Sequence, residues 1–136
     1  MNTVSYNVKS AGPNTAVRNK RAHGEHYERL AEQHLLSQGL VALEHNFTAK
    51  SGELDLIMRD GDAIVFVEVR YRKSTSFGHA AETVTYSKMQ KLVRAANVWL
   101  IKHGLSVHDT HFRFDLVAIH EQGSQIEWIK NAITQG

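Results

Sequence analysis

A chain of 136 residues without cysteine has neither a disulfide framework nor a thiolate metal site, and its length suits one domain with a substantial core. Net charge is +2, but four of the 16 basic residues and none of the 14 acidic ones lie in residues 1–22, leaving the remainder at −2; nucleic-acid contact there requires clustered positive charge. No stretch reaches the ~18 apolar residues of a membrane span, and the opening MNTVSYNVKSAGPNT lacks the apolar run of a signal peptide, so a cytoplasmic protein without a membrane partner is expected.

Residues 1–22 carry Lys9, Arg18, Lys20 and Arg21, the only proline and no apolar periodicity. They read as a flexible basic tail, with a globular domain over 23–136. A helical pattern begins near His23, with Tyr27, Leu30, Ala31, His34 and Leu35 on one face and Gly39 as its stop. Leu40 to Phe47 alternates as a first strand. Glu53 to Ile57 and Ala63 to Val69 are the second and third, the latter nearly all β-branched or apolar. Residues 72–85 form a loop-rich connection. A second helix is expected from about Ser87 to Lys102, ending at Gly104, with Met89, Val93, Ala96 and Leu100 as its buried stripe. Phe112 to Ile119 is a fourth strand, Gln122-Gly123-Ser124 a turn, and Ile126 to Lys130 a fifth strand. The order α-β-β-β-α-β-β, with a helix between strands three and four, predicts an α/β sandwich: a central mixed five-stranded sheet with flanking helices.

The segment GELDLIMRDGDAIVFVEVRYR carries the chemistry. Asp60-Gly61 is a two-residue hairpin signal, and a loop there pairs Arg59 with Asp62, Asp55 with Phe66 and Glu53 with Glu68. Glu53, Asp55, Glu68, Arg70 and Arg72 then project from one face. Asp55 and Glu68 become diagonal neighbours, roughly 7–8 Å apart at the backbone. Carboxylates on so apolar a strand need a cation, hydrogen bonds or water. A hard divalent cation satisfies them with oxygen ligands, and magnesium needs only one or two. The competing reading is a structural ion pair in which Arg70 neutralises Glu68.

An acid on one strand followed by Glu-x-basic on the next resembles the PD-(D/E)xK nuclease superfamily. More specifically, the blocks ERLAEQHLLSQGL, SGELDLIMRDGDAIVFVEVRYR, FGHAAETVTYSKMQKLVRAANVWL, RFDLVAI and IEWIKNAI, in this order, resemble the YraN-like family of predicted endonucleases related to Holliday-junction resolvases. The resemblance runs from about Tyr27 to Ile133. It implies a restriction-endonuclease-like fold, a nuclease-like domain and magnesium or manganese as cofactor. By position it implies that Glu28 matches the family's N-terminal acid, Asp55 the metal-binding aspartate and Glu68 the acid of the (D/E)xK element. The Val69 carbonyl becomes a further metal ligand. Arg70 stands where lysine is usual, and Tyr27 where the family often has glycine. The superfamily's lysine orients the attacking water and stabilises charge on the phosphorane. Arginine suits phosphate oxygens but is a poor proton-transfer group, because its pKa stays above ~12.

Basic residues are expected around this site. Arg72 continues the face of Glu68 and Arg70. Lys88, Lys91 and Lys102 fall within about 60° on the second helix, and Arg113 shares a face of strand four with Asp115. Such a rim fits a phosphate backbone, although an ordinary solvated helix face is the alternative and is preferred for Lys102. His108-x-x-His111 lacks any metal-site framework, and Trp99 and Trp128 lie in core elements, where packing is their role. The expected function is a metal-dependent endonuclease acting on structured or branched DNA, in which Asp55 and Glu68 hold the metal, Glu28 assists and water is activated. The alternatives are a catalytically inactive nucleic-acid-binding scaffold and a protein-interaction module with an internal ion-pair network. The resemblance leaves a homodimer open.

Overall fold

The computed structural model describes residues 15–72, 85–120 and 124–133, excepting the side chains of residues 15–23. Its elements are α1 (Thr15–Ser37), β1 (Val41–Ala49), β2 (Gly52–Asp60), β3 (Ala63–Arg72), α2 (Tyr86–Lys102), β4 (Phe112–His120) and β5 (Gln125–Ile129). The strands form one sheet in the order β1-β2-β3-β4-β5. Only the β3–β4 pair is parallel, because α2 returns the chain to the starting end of the sheet between them. The expected α/β architecture, element order and mixed sheet are all present.

The helices cover opposite faces. Tyr27, Ala31 and Leu35 of α1 pack with Leu56, Met58, Val65, Val67, Val117 and Ile119. Leu92, Ala95, Ala96, Trp99 and Leu100 of α2 pack with Leu54, Ile57, Phe66 and Phe114. This division explains the near-continuous apolar run of β3, which is buried on both sides. Phe66 centres the α2 face, with ring centroids 5.8 Å from Trp99, 5.9 Å from Phe112 and 5.4 Å from Phe114. Truncating it to alanine costs about 3–5 kcal/mol, as for buried aromatics in general. Tyr27, where the resemblance expects glycine, stacks its ring on Tyr71 at 4.3 Å.

Two helix limits differ from expectation. α1 starts at Thr15 rather than near His23, since proline-free residues extend a helix already anchored at Tyr27, Ala31 and Leu35. The tail expected over residues 1–22 otherwise lies outside what is described. α2 starts at Tyr86, one residue before the expected Ser87, and is capped by Thr85, whose Oγ1 accepts the Lys88 N–H at 3.1 Å. Most of the expected 72–85 connection, and Gln122-Gly123 of the turn before β5, also lie outside the described residues.

The hairpin register requires a correction. The closing pair is Asp60 with Ala63, so Gly61-Asp62 is the loop, and Met58 pairs with Val65 and Leu56 with Val67. Gly61 has φ +63° and Asp62 does not share that sign, which is the type II′ turn with glycine at its first central position. An Asp60-Gly61 loop of type I′ requires positive φ at Asp60 as well. The two-residue shift preserves which residues share a face but brings Asp55 level with Glu68, not Phe66.

A candidate metal centre in a strand fork

Regular alternation fails at one row of the sheet. Leu54 and Ile57 both pack on the α2 side, whereas Leu56 and Met58 pack on the α1 side, so β2 turns at Asp55. Its neighbour on β1 turns at the same level: Asn46 has φ +52°, a conformation that asparagine tolerates better than most residues. Glu53, alternating with Leu54, therefore does not share the face of Glu68 as expected. Beyond Leu56 and Val67 the β2–β3 ladder stops. There Asp55 takes over with its side chain, whose Oδ2 accepts the Val69 N–H at 2.9 Å. The strands part into a fork lined by the Asp55 and Glu68 carboxylates.

Burial and mutual repulsion dominate the electrostatics of this fork. Glu68 is 6% exposed. Desolvation and then the Asp55 charge push its carboxyl up to about 7, against the opposing pull of Lys88 and Arg70. Asp55 is likewise raised, chiefly by burial, although the Val69 N–H and the Lys88 charge favour its ionised form. On the α1 side, Glu28 is held at about 7 by burial and then by the charges of Asp55, Glu25 and Glu53, with an Asn46 hydrogen bond opposing them. The Asp55 charge on β2 thus raises both Glu68 on β3 and Glu28 on α1. Glu28 stands off from the other two, and among the described residues no three acid, imidazole or thiol side chains are arranged to enclose a metal ion.

Two cations meet the site from the α2 side, both at one oxygen. Lys88 Nζ and Arg70 Nε each lie 3.4 Å from Glu68 Oε2. The Arg70 contact has ion-pair distance without hydrogen-bond alignment, so its Nε is a buried donor with no acceptor among the described residues. Val69 enters the site through its N–H, while its side chain packs on the α1 face. Arg72 is part-buried at the end of β3, and Lys91 is exposed on α2, one turn beyond Lys88.

Arg113 is not brought to this centre. It pairs in the sheet with Val65, three rows from Glu68, and its guanidinium is held by two carboxylates. Nε and Nη2 donate to the two oxygens of Asp115 at 2.9 and 3.1 Å, and Nη2 also donates to Asp60 at 2.9 Å. Its shared face with Asp115 was legible, but it serves structure. Lys102 also lies elsewhere, its ammonium 5.5 Å from the Phe47 ring centroid. Asn46 and the direct Lys88–Glu68 contact were missed. An asparagine inside a strand pattern was the available signal for the first; nothing local encodes the second.

The donor set fits a hard divalent cation. Two carboxyl side chains whose pKa values burial raises match the one or two carboxylates that magnesium takes while retaining water. No described helix is long and apolar enough to cross a membrane.

Comparison with known proteins places the chain in a family. The family model described as Uncharacterised protein family UPF0102 matches residues 27–119. A UPF0102 protein of Aliivibrio salmonicida is 58% identical over 118 residues, covering 87% of this chain and 96% of the relative. One from Vibrio cholerae is 53% identical over 118 residues, covering 87% and 97%. The chain belongs to the UPF0102 family.

Proposed function

We propose that this member of the UPF0102 family is a YraN-like, PD-(D/E)xK-type endonuclease that hydrolyses phosphodiester bonds in structured or branched DNA with a divalent metal. The observation that carries this reading is the fork itself: Asp55 and Glu68 meet where the sheet opens, with Glu68 pushed up to about 7 although two cations stand beside it. A purely structural pair gains little from such an arrangement.

Asp55 and Glu68 are the residues that would hold magnesium or manganese, with the Val69 carbonyl as a further oxygen donor. When bound, the metal would supply an activated water and charge neutralisation at the scissile phosphate. Glu28, which feels the Asp55 charge from α1, would help hold the metal or its water. Arg70 presents a guanidinium suited to phosphate oxygens, and Arg72, Lys88 and Lys91 extend positive charge along the path of the backbone. Arg113, occupied by two carboxylates, is left out of this surface.

A second reading, a nucleic-acid-binding scaffold without turnover, is favoured by arginine at the usual lysine position. A third, an interaction module whose ion pairs are structural, is favoured by the two cations on Glu68 and by the net −2 charge beyond residue 22. Cleavage of four-way-junction, nicked and single-stranded DNA with Mg²⁺, Mn²⁺ or chelator separates them, with Asp55→Asn as control. Metal-dependent cleavage lost in Asp55→Asn is the expected result. Salt-dependent binding without cleavage selects the scaffold, and neither activity selects the interaction module.

A further inference from the structure

We infer that Lys88, delivered from the first turn of α2, is the ammonium that acts at the scissile phosphate, and that Arg70 on β3 serves to hold the nucleic-acid backbone. The inference rests on the nuclease reading above and divides labour between two cations that otherwise look equivalent.

The division follows from shape and placement. Both groups stand 3.4 Å from Glu68 Oε2. Lys88 approaches as a compact ammonium with three rotatable donors, on a side chain 40% exposed at the mouth of the fork. Arg70 approaches edge-on through Nε, a buried donor lacking an acceptor among the described residues. A planar guanidinium held in this way is suited to bidentate contact with phosphate oxygens. It is ill suited to small adjustments around an attacking water, which an ammonium makes freely.

Lys88 is also placed with care. Thr85 caps its backbone N–H at 3.1 Å, fixing the first turn of α2. One turn later the helix presses on the start of β2: a Cβ on Gly52 would lie 3.2 Å from Lys91 Cβ and 3.3 Å from the Lys91 carbonyl oxygen. An alanine there would need α2 or β2 to give by a few tenths of an ångström. Gly52 lies three residues before Asp55, so this close approach joins the helix that carries Lys88 to the strand that carries Asp55. Leu92, 3% exposed, anchors the same turn in the core.

The test measures Mn²⁺ affinity by calorimetry, four-way-junction DNA affinity in chelator, and single-turnover cleavage at saturating Mn²⁺ and DNA. The proteins are the unaltered chain, Lys88→Met, Lys88→Arg, Arg70→Met and Gly52→Ala. Lys88→Met is expected to lower the cleavage rate by about 100-fold or more, the usual cost of one transition-state donor. Its Mn²⁺ affinity is expected to hold or tighten as a like charge leaves, with DNA affinity within roughly threefold because one of several phosphate contacts is lost. Lys88→Arg recovers part of the rate. Arg70→Met weakens DNA binding more than it slows saturated cleavage. Gly52→Ala, remote from the carboxylates, slows cleavage by roughly tenfold through misplacement while Mn²⁺ affinity stays unchanged.

Cleavage by Lys88→Met within threefold of the unaltered protein overturns the assignment, as does a loss confined to DNA affinity. An unaltered protein that neither cleaves DNA nor binds Mn²⁺ through Asp55 overturns the nuclease reading, and this assignment with it. That failure is visible before any Lys88 variant is measured.

Discussion

The sheet holds two clusters of carboxylate and cation, and they differ in how far each is satisfied. Asp115 pairs with Val67, one row from Glu68, but its side chain, in step with Val117, lies on the opposite face of the sheet. Asp115 is fully buried and accepts hydrogen bonds from Arg113 Nε and Nη2, Trp128 Nε1 and the Asn131 N–H, at 2.8–3.1 Å. Arg113 is shared with Asp60, which accepts from Nη2 at 2.9 Å. In the fork, the Asp55 carboxylate accepts one backbone N–H, Glu68 has two cations at 3.4 Å, and Arg70 Nε lacks an acceptor among the described residues. The first cluster ties β2, β4 and the chain beyond β5 together. The second is answered less closely: its cations stand 3.4 Å from Glu68, and both its acids have raised pKa values despite them.

The sharpest way to break this contrast is to delete an acid from each. Asp115→Ala leaves Arg113, Trp128 Nε1 and the Asn131 N–H without their acceptor. It should cost about 3–5 kcal/mol, the usual loss when a buried pair is broken, seen as a lower denaturation midpoint in urea. An equal loss for Asp55→Ala would place both clusters in the structural class.

The next largest effect is a pH dependence that only the fork should generate. Glu68 and Glu28 sit at about 7 in the folded chain, above the ~4.3 of an unfolded glutamate. A raised pKa means the folded state binds more protons. Stability is therefore fullest below about pH 4 and falls as pH rises through 7. In chelator the decline should be on the order of 2 kcal/mol between pH 5 and 8. Glu68→Gln should remove the Glu68 share and leave that of Glu28, and Mg²⁺ should restore stability at pH 8. A flat profile in chelator would remove the electrostatic case for the fork.

Asp55→Asn should raise the melting temperature in chelator, with a gain of about 1 kcal/mol from relieved repulsion, because the amide oxygen can still accept the Val69 N–H. It should also abolish stabilisation by Mg²⁺. A lower melting temperature in chelator, with Mg²⁺ affecting neither protein, would mean that Arg70 and Lys88 already satisfy the site. The smallest effect belongs to Arg70→Lys: a stability change within about 0.5 kcal/mol, DNA affinity nearly conserved because the charge is, and metal-dependent cleavage equal or faster. Loss of an evident activity in that variant would make the guanidinium itself essential.

Residue patterning made the architecture legible because apolar alternation and glycine stops are local signals. Tyr27, Ala31 and Leu35 marked the buried face of α1, and Leu100 that of α2. The position of Asp55 relative to Glu68 was harder, since Asp60-Gly61 and Gly61-Asp62 are both acceptable loops and only tertiary packing selects between them. Parity survived that two-residue shift, which is why a shared location for the two acids was anticipated while their level was not. The break in alternation at Asn46 and Asp55 depends on two strands turning together, and strand periodicity assumes that neither does. Lys88 lies 20 positions from Glu68 and meets it only because α2 returns across the sheet. Arg113 shows the converse: sequence reasoning recognised its charge without its two acidic partners.

Where β2 and β3 separate, the Val69 amide is bound by the Asp55 side chain instead of by a neighbouring strand. Most sheet amides report only whether the fold is closed. This one donates to a group that ionises and, on our reading, binds metal, so its nitrogen and proton resonances should follow the charge on Asp55. Its hydrogen-exchange rate should respond when that oxygen is drawn elsewhere. One backbone signal, in a spectrum that needs no substrate, therefore serves as a spectroscopic gauge of the fork's ionisation and occupancy.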